Sequence, residues 1–223
     1  MGQLKITEIE AQLNEWEFLK ELPPEIDGFK LTMGQGIDGQ ILTIASYGNE
    51  AMHSKLDLVY TSETFDYVPV KTIGMHTFRD IRYFCRDRDK FAKLMQENLP
   101  ELLADINREK KHRMGTLVEE TGLASWEYAA RLPQKVGGFE LFISPDNPID
   151  YINGSTLFID YSDFENGNQL VFFYNTFRNE FFAETKKGFM TGITHEFDCR
   201  NLEALEKLLD ENLEAALQKL GKA

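Results

Sequence analysis

The residues Gly34-Gln-Gly36-Ile-Asp-Gly39 spell GxGxxG, a spacing that cradles phosphate in dinucleotide-binding proteins. That chemistry requires a helix to begin directly after the glycines, because the helix N-terminus receives the phosphate. Here the strand-like run ILTIAS (41–46) follows instead. We therefore predict a glycine-rich hairpin loop at this point and no bound cofactor.

The histidines offer the next candidate for catalysis or metal binding. The grouping closest to an enzyme site is His195 with Glu196 and Asp198. Strand alternation is expected to send both carboxylates to the face opposite His195. The other histidines lie far apart in the sequence, at His53, His76 and His112. We predict a surface histidine at position 195, no catalytic residue and no metal site.

Three carboxylates, Asp160, Asp163 and Glu165, precede the dipeptide Asn166-Gly167. Their spacing does not match a calcium-binding EF-hand loop. Asn-Gly between two apolar runs is a strong signal for a two-residue hairpin turn. We interpret the carboxylates as part of a solvated turn.

The two cysteines, Cys85 and Cys199, lie 114 positions apart and form no CxxC motif. We expect both to be small structural residues at strand-to-helix junctions. Their spacing reflects a wider self-similarity. The stretch Leu13–Met33 returns at Leu123–Ile143 with eight of 21 positions identical, and later pairs such as Tyr60 and Tyr174 keep the offset of 114. Self-similarity at a fixed offset identifies the unit of folding.

The sequence therefore predicts a tandem duplication with units of about 110 residues, a usual domain size. We place the first unit at residues 1–106, a basic linker at 107–114 and the second unit at 115–223. The linker holds a basic cluster that we interpret as solvated: Arg108, Lys110, Lys111 and Arg113.

Each unit is predicted to be a helix, an antiparallel meander of four or five strands and a closing helix, which is an α+β plan. Apolar spacing predicts helices at 4–22 and 126–132, the second capped by Ser125, with Trp16 and Trp126 as core anchors. Asp87 and Asn201 are expected to cap the closing helices. Pro100 predicts a kink or break of the first closing helix near Asn98. Strands are expected at 29–33, 41–47, 56–62, 65–71 and 75–85, and at 139–144, 155–161, 169–176, 180–185 and 189–199.

Aromatic side chains occupy both faces of the second predicted sheet. In LVFFYNTF (170–177), Phe172 and Tyr174 point away from Phe173, and Phe181-Phe182 repeats the effect. Helices cover only one face, so the other needs a cover. We expect the first unit to provide it about a pseudo-two-fold axis, and a homodimer partner, a ligand or a peptide are the alternatives. The candidate partner-binding residues are Phe173, Phe177, Phe181 and Phe182.

Charge restricts the partners. The chain has 37 acidic and 24 basic residues, a net charge of −13 shared between both halves. Such a surface repels phosphate backbones and anionic lipids, so we predict no nucleic-acid or membrane partner. No apolar run has the roughly 20 residues of a membrane helix, and no basic, apolar leader opens the chain, so we expect a cytoplasmic protein.

Two functions follow from these observations. The first is a non-enzymatic protein-binding module, such as an adaptor, a chaperone or an antitoxin-like inhibitor. It would use the acidic surface or the aromatic sheet face to hold a basic or amphipathic protein partner. The alternative is an enzyme or small-ligand carrier whose site lies in a cleft between the two units.

Overall fold

The chain is an α+β protein with two antiparallel sheets, of six and seven strands. The prediction of four or five strands in each unit is too low, because two-residue strands, too short to give an alternating pattern, also pair in the sheets. The computed structural model describes residues 5–110, 115–151, 154–188 and 190–222. Internal contacts divide the chain into two compact units, Met1–Lys110 and Lys111–Ala223. Within the described residues, no helix is both long and apolar enough to cross a membrane.

The first unit begins with short helical pieces in place of the single helix predicted over 4–22. Helix α1 (Ile6–Gln12) leads into a 3₁₀ turn (Leu13–Glu15), and helix α2 (Glu17–Lys20) follows. The interruption is at Trp16, whose backbone is extended, with φ −85° and ψ 100°. This turn lets the indole enter the core, where it is 4% exposed. The predicted Leu4 lies outside the described residues.

The first sheet is a continuous meander, as the short connections predict. Its last predicted strand is cut short at Arg79, and a 3₁₀ turn (Ile81–Tyr83) follows. The hairpin loop predicted at the glycine-rich segment is wrong for most of its length, because Gly34 and Gly36 belong to the second strand and only Gly39 lies in the turn. A strand follows this turn, as expected. In spatial order the strands are β1 (Glu25–Ile26), β2 (Phe29–Asp38), β3 (Ile41–Asn49), β4 (Ser54–Thr61), β5 (Asp66–Ile73) and β6 (His76–Arg79).

Helix α3 (Arg88–Ala104) closes the first unit. Asp87 caps it as predicted, because its carboxylate accepts a hydrogen bond from the Lys90 backbone N–H at 2.8 Å. The predicted break near Asn98 is wrong, since the helix continues through Pro100. Pro100 is exposed, while Leu99 and Leu103 beside it are buried, so packing of the apolar face holds the helix together. Beyond the helix, Lys110 forms an ion pair with Asp27 at 2.6 Å; Lys111 and Arg113 of the predicted linker lie outside the described residues.

The second unit also opens with short helical pieces: α4 (Thr116–Glu119) and two 3₁₀ segments, Leu123–Ser125 and Glu127–Arg131. The helix predicted at 126–132 is thus a 3₁₀ segment, and Ser125 does not cap it. Trp126 takes the position before it in extended conformation, and its indole N–H donates to Glu206 Oε1 at 2.7 Å.

The second sheet has the order β13-β12-β11-β10-β8-β7, and β9 pairs with β10. All pairs are antiparallel, as predicted. The strands are β7 (Lys135–Val136), β8 (Phe139–Ile143), β9 (Ile149–Asp150), β10 (Ser155–Asp163), β11 (Asn168–Asn175), β12 (Glu180–Lys187) and β13 (Met190–Cys199).

The β10–β11 hairpin differs from its prediction in the length of its turn and in the burial of its carboxylates. Its turn has four residues, 164–167, where a two-residue turn was expected. Asp160 and Asp163 are not solvated, because they are 0% and 4% exposed. Asp163 holds the turn by accepting a hydrogen bond from the Asn166 backbone N–H at 3.1 Å.

Helix α5 (Leu202–Gly221) closes the second unit and covers one face of its sheet. Asn201 caps it as predicted, accepting from the Ala204 N–H at 2.8 Å. Its apolar stripe packs with alternate residues of β11, so the opposite facing of Phe172 and Phe173 is confirmed. The core residues on the two elements are Leu205, Leu209, Leu213 and Leu217 with Leu170, Phe172 and Tyr174.

Candidate strand-docking site

The outermost strand of the second sheet, β13, is paired on one side only. It has ten residues, whereas the other strands at sheet ends, β1, β6 and β7, have two, four and two. The unpaired side of an edge strand presents backbone N–H and C=O groups that can pair with another strand. Strand β2 also presents a long unpaired side, because β1 pairs only with its residues Phe29 and Lys30. Its apolar residues Met33 and Ile37 are 45% and 39% exposed, less than those of β13, so β13 is the stronger candidate for strand addition among the described residues.

The side chains of β13 increase this tendency to pair. Met190 and Ile193 are 74% and 77% exposed, although both are apolar. Proteins usually protect an edge with Lys, Pro or inward charges. The regular part of β13, Met190-Thr-Gly-Ile-Thr194, has no charged residue and no proline. The shorter edges each carry a charge, at Glu25, Arg79 and Lys135.

The register of β12 and β13 places Ile193 on the face opposite α5. Ala183 belongs to the core beneath α5 and pairs with Thr194. The next pair, Glu184 with Ile193, must point to the other face because successive side chains alternate. Phe182 has the same orientation as Glu184, so Ile193 and Phe182 share one face.

That face carries a row of aromatic rings, which we call the aromatic row: Tyr151, Phe173 and Phe182. Phe173 and Phe182 are direct cross-strand partners, and their rings stack with centroids 5.3 Å apart at 20°. Tyr151 meets Phe173 edge-on at 5.4 Å. The Arg178 guanidinium lies 4.7 Å from the centroid of the Phe182 ring. Such contacts make Phe182 a rigid, half-buried apolar surface between Phe173 and the edge.

The four predicted partner-binding residues are thus separated by the structure. Phe173 and Phe182 are brought together in the aromatic row, with Phe173 only 6% exposed. Phe181 lies on the opposite face, 2% exposed, in contact with Phe158 at 5.7 Å, so it offers no surface to a partner. Phe177 lies in the turn before β12 and is 83% exposed.

The sequence analysis did not identify Met190 and Ile193 as candidate binding residues. The available signal was the last predicted strand of the sheet, whose first half, MTGIT, combines two apolar residues with small ones and has no protecting charge. Nothing in that pattern identifies the strand as an outer one, because strand order is a tertiary property.

Strand β13 contains a bulge that changes the orientation predicted for His195 relative to Asp198. Phe181 pairs with Cys199 but Ala183 pairs with Thr194, so β13 has extra residues between these two pairs. The extra residues break the alternation, and His195 Nδ1 lies 2.6 Å from Asp198 Oδ2. The prediction that they occupy opposite faces is wrong. In the described part of the chain, no group of three His, Cys, Asp or Glu side chains is arranged to hold a metal.

Three other polar side chains of this unit, those of Cys199, Tyr151 and Asp160, are partly or fully buried and have structural roles. Burial raises the pKa of the Cys199 thiol, so the thiol stays protonated at neutral pH and is a poor nucleophile. Burial also raises the pKa of Tyr151, and the charges of Asp160 and Glu184 raise it further. The fully buried Asp160 accepts hydrogen bonds from Ser162 Oγ at 2.7 Å and Gln169 Nε2 at 3.0 Å.

The charge of the β12–β13 hairpin is balanced, in contrast to the chain as a whole. Residues 178–200 contain four basic and four acidic side chains. They are not mixed evenly along β13. Lys186 and Lys187 lie where the strand begins, while Glu196 and Asp198 lie towards its end. Arg178, Glu180 and Arg200 also lie at this second end, so one end of the hairpin is basic and the other carries a small net negative charge.

A pocket of 360 Å³ lies elsewhere in the second unit, near the start of α5. Its polar lining includes Thr121, Tyr174, Asn179 and Arg200. The Tyr174 hydroxyl donates to Asn179 Oδ1 at 3.0 Å. This volume is within the range of small-ligand sites.

Comparisons of the chain with protein families, with curated proteins and with solved structures gave no match.

Proposed function

We propose that this protein is a non-enzymatic protein-binding module that takes an extended segment of polypeptide onto β13 by strand addition. One observation carries the proposal: β13 is a ten-residue edge strand whose Met190 and Ile193 are three-quarters exposed. Phe182 is the neighbouring aromatic residue that a bound segment would contact, whereas the Phe177 ring lies against Gly154 beside β10, away from this edge.

The expected affinity follows from the groups available. Covering an apolar side chain such as Ile193 or Met190 contributes about 1.5–3 kcal/mol, and each new backbone hydrogen bond about 0.5–1.5 kcal/mol. Association costs roughly 4–15 kcal/mol because the two molecules lose translational and rotational freedom. Only part of the favourable free energy from burial and hydrogen bonding therefore remains as binding free energy. We expect dissociation constants on the order of micromolar for a single short segment.

The partner segment should be extended, with apolar side chains at alternate positions that lie beside Ile193 and Phe182. The net charge of −13 favours the approach of a basic protein over long distances. Because the hairpin itself is balanced in charge, we expect salt to slow association more than it speeds dissociation.

Site-specific photo-crosslinking tests the proposal. A benzophenone amino acid in place of exposed Thr191 should crosslink a partner from host lysate, and the same group in place of exposed Glu211 on α5 should not. Adding Ile193→Lys should abolish the crosslink at position 191. The matched control is Ile81→Lys, since Ile81 is 71% exposed and lies in the other unit. Equal crosslinking in both lysine variants would overturn the proposal.

The alternative of a small-ligand carrier is favoured by the 360 Å³ pocket, which has hydroxyl, amide and guanidinium groups. Small carboxylates and phosphates that raise the melting temperature of the wild type, but not of Arg200→Ala, would support it. We expect no such shift if the protein acts through β13. The free thiols of Cys85 and Cys199 are consistent with action in the reducing cytoplasm, where we propose that the protein works.

We also infer that the two units arose by duplication of one ancestral domain. Three internal relationships support this inference, because each recurs at the offsets of the sequence repeat. They are the bond from Tyr47 to Pro23 and from Tyr161 to Pro133, the bulge at Thr43/Ala45 and at Leu157/Ile159, and the caps Asp87 and Asn201. Experimental structures of the two units that superpose in a different register would contradict the inference. The pseudo-two-fold arrangement stays a prediction.

A further inference from the structure

We propose that the segment accepted by β13 is β13 of a second copy of this chain, paired antiparallel in a two-fold symmetric dimer. The inference rests on the proposed function, since it names the occupant of the same edge. Two-fold dimers use one patch twice, so the edge must be complementary to itself. The described residues of β13 meet that requirement in charge and in shape.

The charges favour antiparallel pairing of two identical edges. Each β13 begins beside Lys186 and Lys187 and continues into Glu196 and Asp198. When two copies run in opposite directions, the acidic end of each lies beside the basic end of the other. A parallel arrangement would place like charges side by side, which is unfavourable.

The side chains favour a particular register. Regular pairing of β13 with β12 extends over Met190–Thr194, whose central residue is Gly192. With the two-fold axis at Gly192, Ile193 of each copy lies opposite Thr191 of the other. Both positions point away from α5, so four β-branched side chains form one patch beside the two Phe182 rings. Such cross-strand pairs are the favourable units of a sheet.

The size of this contact sets its strength. The bulge between Thr194 and Cys199 ends the regular ladder, so the two strands share about five paired residues each. An interface this small is below the area of stable dimers. We expect a reversible dimer with a dissociation constant on the order of 10 µM. Dimerisation and the binding of another segment would compete for one edge.

Sedimentation velocity on the full chain, from about 1 to about 200 µM, tests the dimer. The wild type should shift from monomer to dimer over this range, and high salt should weaken the dimer. Ile193→Lys should weaken it about tenfold or more, whereas the matched Ile81→Lys should not. Circular dichroism would check that each variant keeps its fold.

A charge exchange tests the antiparallel register itself. Glu196→Lys places like charges at both ends of the paired edges and should weaken the dimer by several fold. Lys187→Glu should do the same, and the two changes together should restore it. Restoration reports a contact between copies, because within one copy Lys187 pairs with Met190, six residues before Glu196.

The outcomes separate this inference from the proposed function. A protein that stays monomeric at every concentration, or a dimer indifferent to Ile193→Lys, overturns the dimer. In either case a crosslink from position 191 to another protein would still support strand addition. If the crosslink is also insensitive to Ile193→Lys, the proposed function fails as well.

Discussion

The Tyr161 hydroxyl donates a hydrogen bond to the backbone oxygen of Pro133 at 2.8 Å, across 28 residues of sequence. Tyr161 lies on β10 and is fully buried, while Pro133 follows the 3₁₀ segment Glu127–Arg131 near the start of the second unit. Tyr47 makes the same contact with Pro23 at 2.7 Å in the first unit. In each unit, one phenol therefore fixes the Leu-Pro turn to the middle of the sheet.

Loss of this hydrogen bond should destabilise the second unit. We expect Tyr161→Phe to lower the free energy of unfolding by about 1–2 kcal/mol, because the Pro133 oxygen loses its donor in a buried setting. Urea unfolding at neutral pH measures the change. Tyr83→Phe is the control, since the Tyr83 ring contacts the Arg82 guanidinium and its hydroxyl donates to no backbone oxygen of the described residues. Equal effects of the two substitutions would contradict the structural role of Tyr161.

Alkaline pH should unfold the protein partly through Tyr47. Burial raises the pKa of Tyr47 to about 12, from an ordinary value of 10.0. The folded state thus favours the neutral phenol, and its contribution to stability is complete below pH 10 and is lost as pH rises through about 12. We expect the unfolding free energy to fall less steeply between these values in Tyr47→Phe than in the wild type. Identical slopes would show that Tyr47 does not contribute to alkaline unfolding.

Trp126 should be a major core anchor of the second unit. Its ring is 8% exposed and meets the Phe158 ring edge-on at 6.3 Å. We expect Trp126→Ala to cost about 3–5 kcal/mol, measured by thermal or urea unfolding. Glu206→Gln keeps an acceptor for the indole N–H and should cost less than about 1 kcal/mol. An unchanged melting temperature in Trp126→Ala would refute the core assignment.

Pro100 should be a source of instability inside α3. A proline there removes the backbone N–H that would bond to the Gln96 oxygen, and its ring crowds that oxygen. Because Pro100 is exposed, Pro100→Ala removes no core contact and should raise the unfolding free energy by about 1–3 kcal/mol. Glu101→Ala, at the next exposed position, should change it by less than about 0.5 kcal/mol. A destabilised Pro100→Ala would indicate that the proline ring has a packing role.

The caps predicted for the two closing helices are confirmed, whereas the cap predicted at Ser125 is wrong. Asp87 and Asn201 cap their helices because a side-chain oxygen bonds to a backbone N–H three residues away, a relationship that depends on nearby residues alone. The helix predicted at 4–22 failed at Trp16, because burial of one large ring outweighed the helical preference of its neighbours. The break at Pro100 failed for a similar reason: packing of Leu99 and Leu103 holds both sides of the helix.

The sequence by itself determined the α+β class, the antiparallel pairing and the caps of the two closing helices, because alternation, short connections and capping are properties of neighbouring residues. Only the tertiary structure decided which strand lies outermost, and so which apolar side chains, Met190 and Ile193, remain in solvent. It also buried Phe181 and Asp160, and through one bulge it brought His195 to Asp198. These outcomes depend on strand order and register, which are set by contacts between residues distant in the chain.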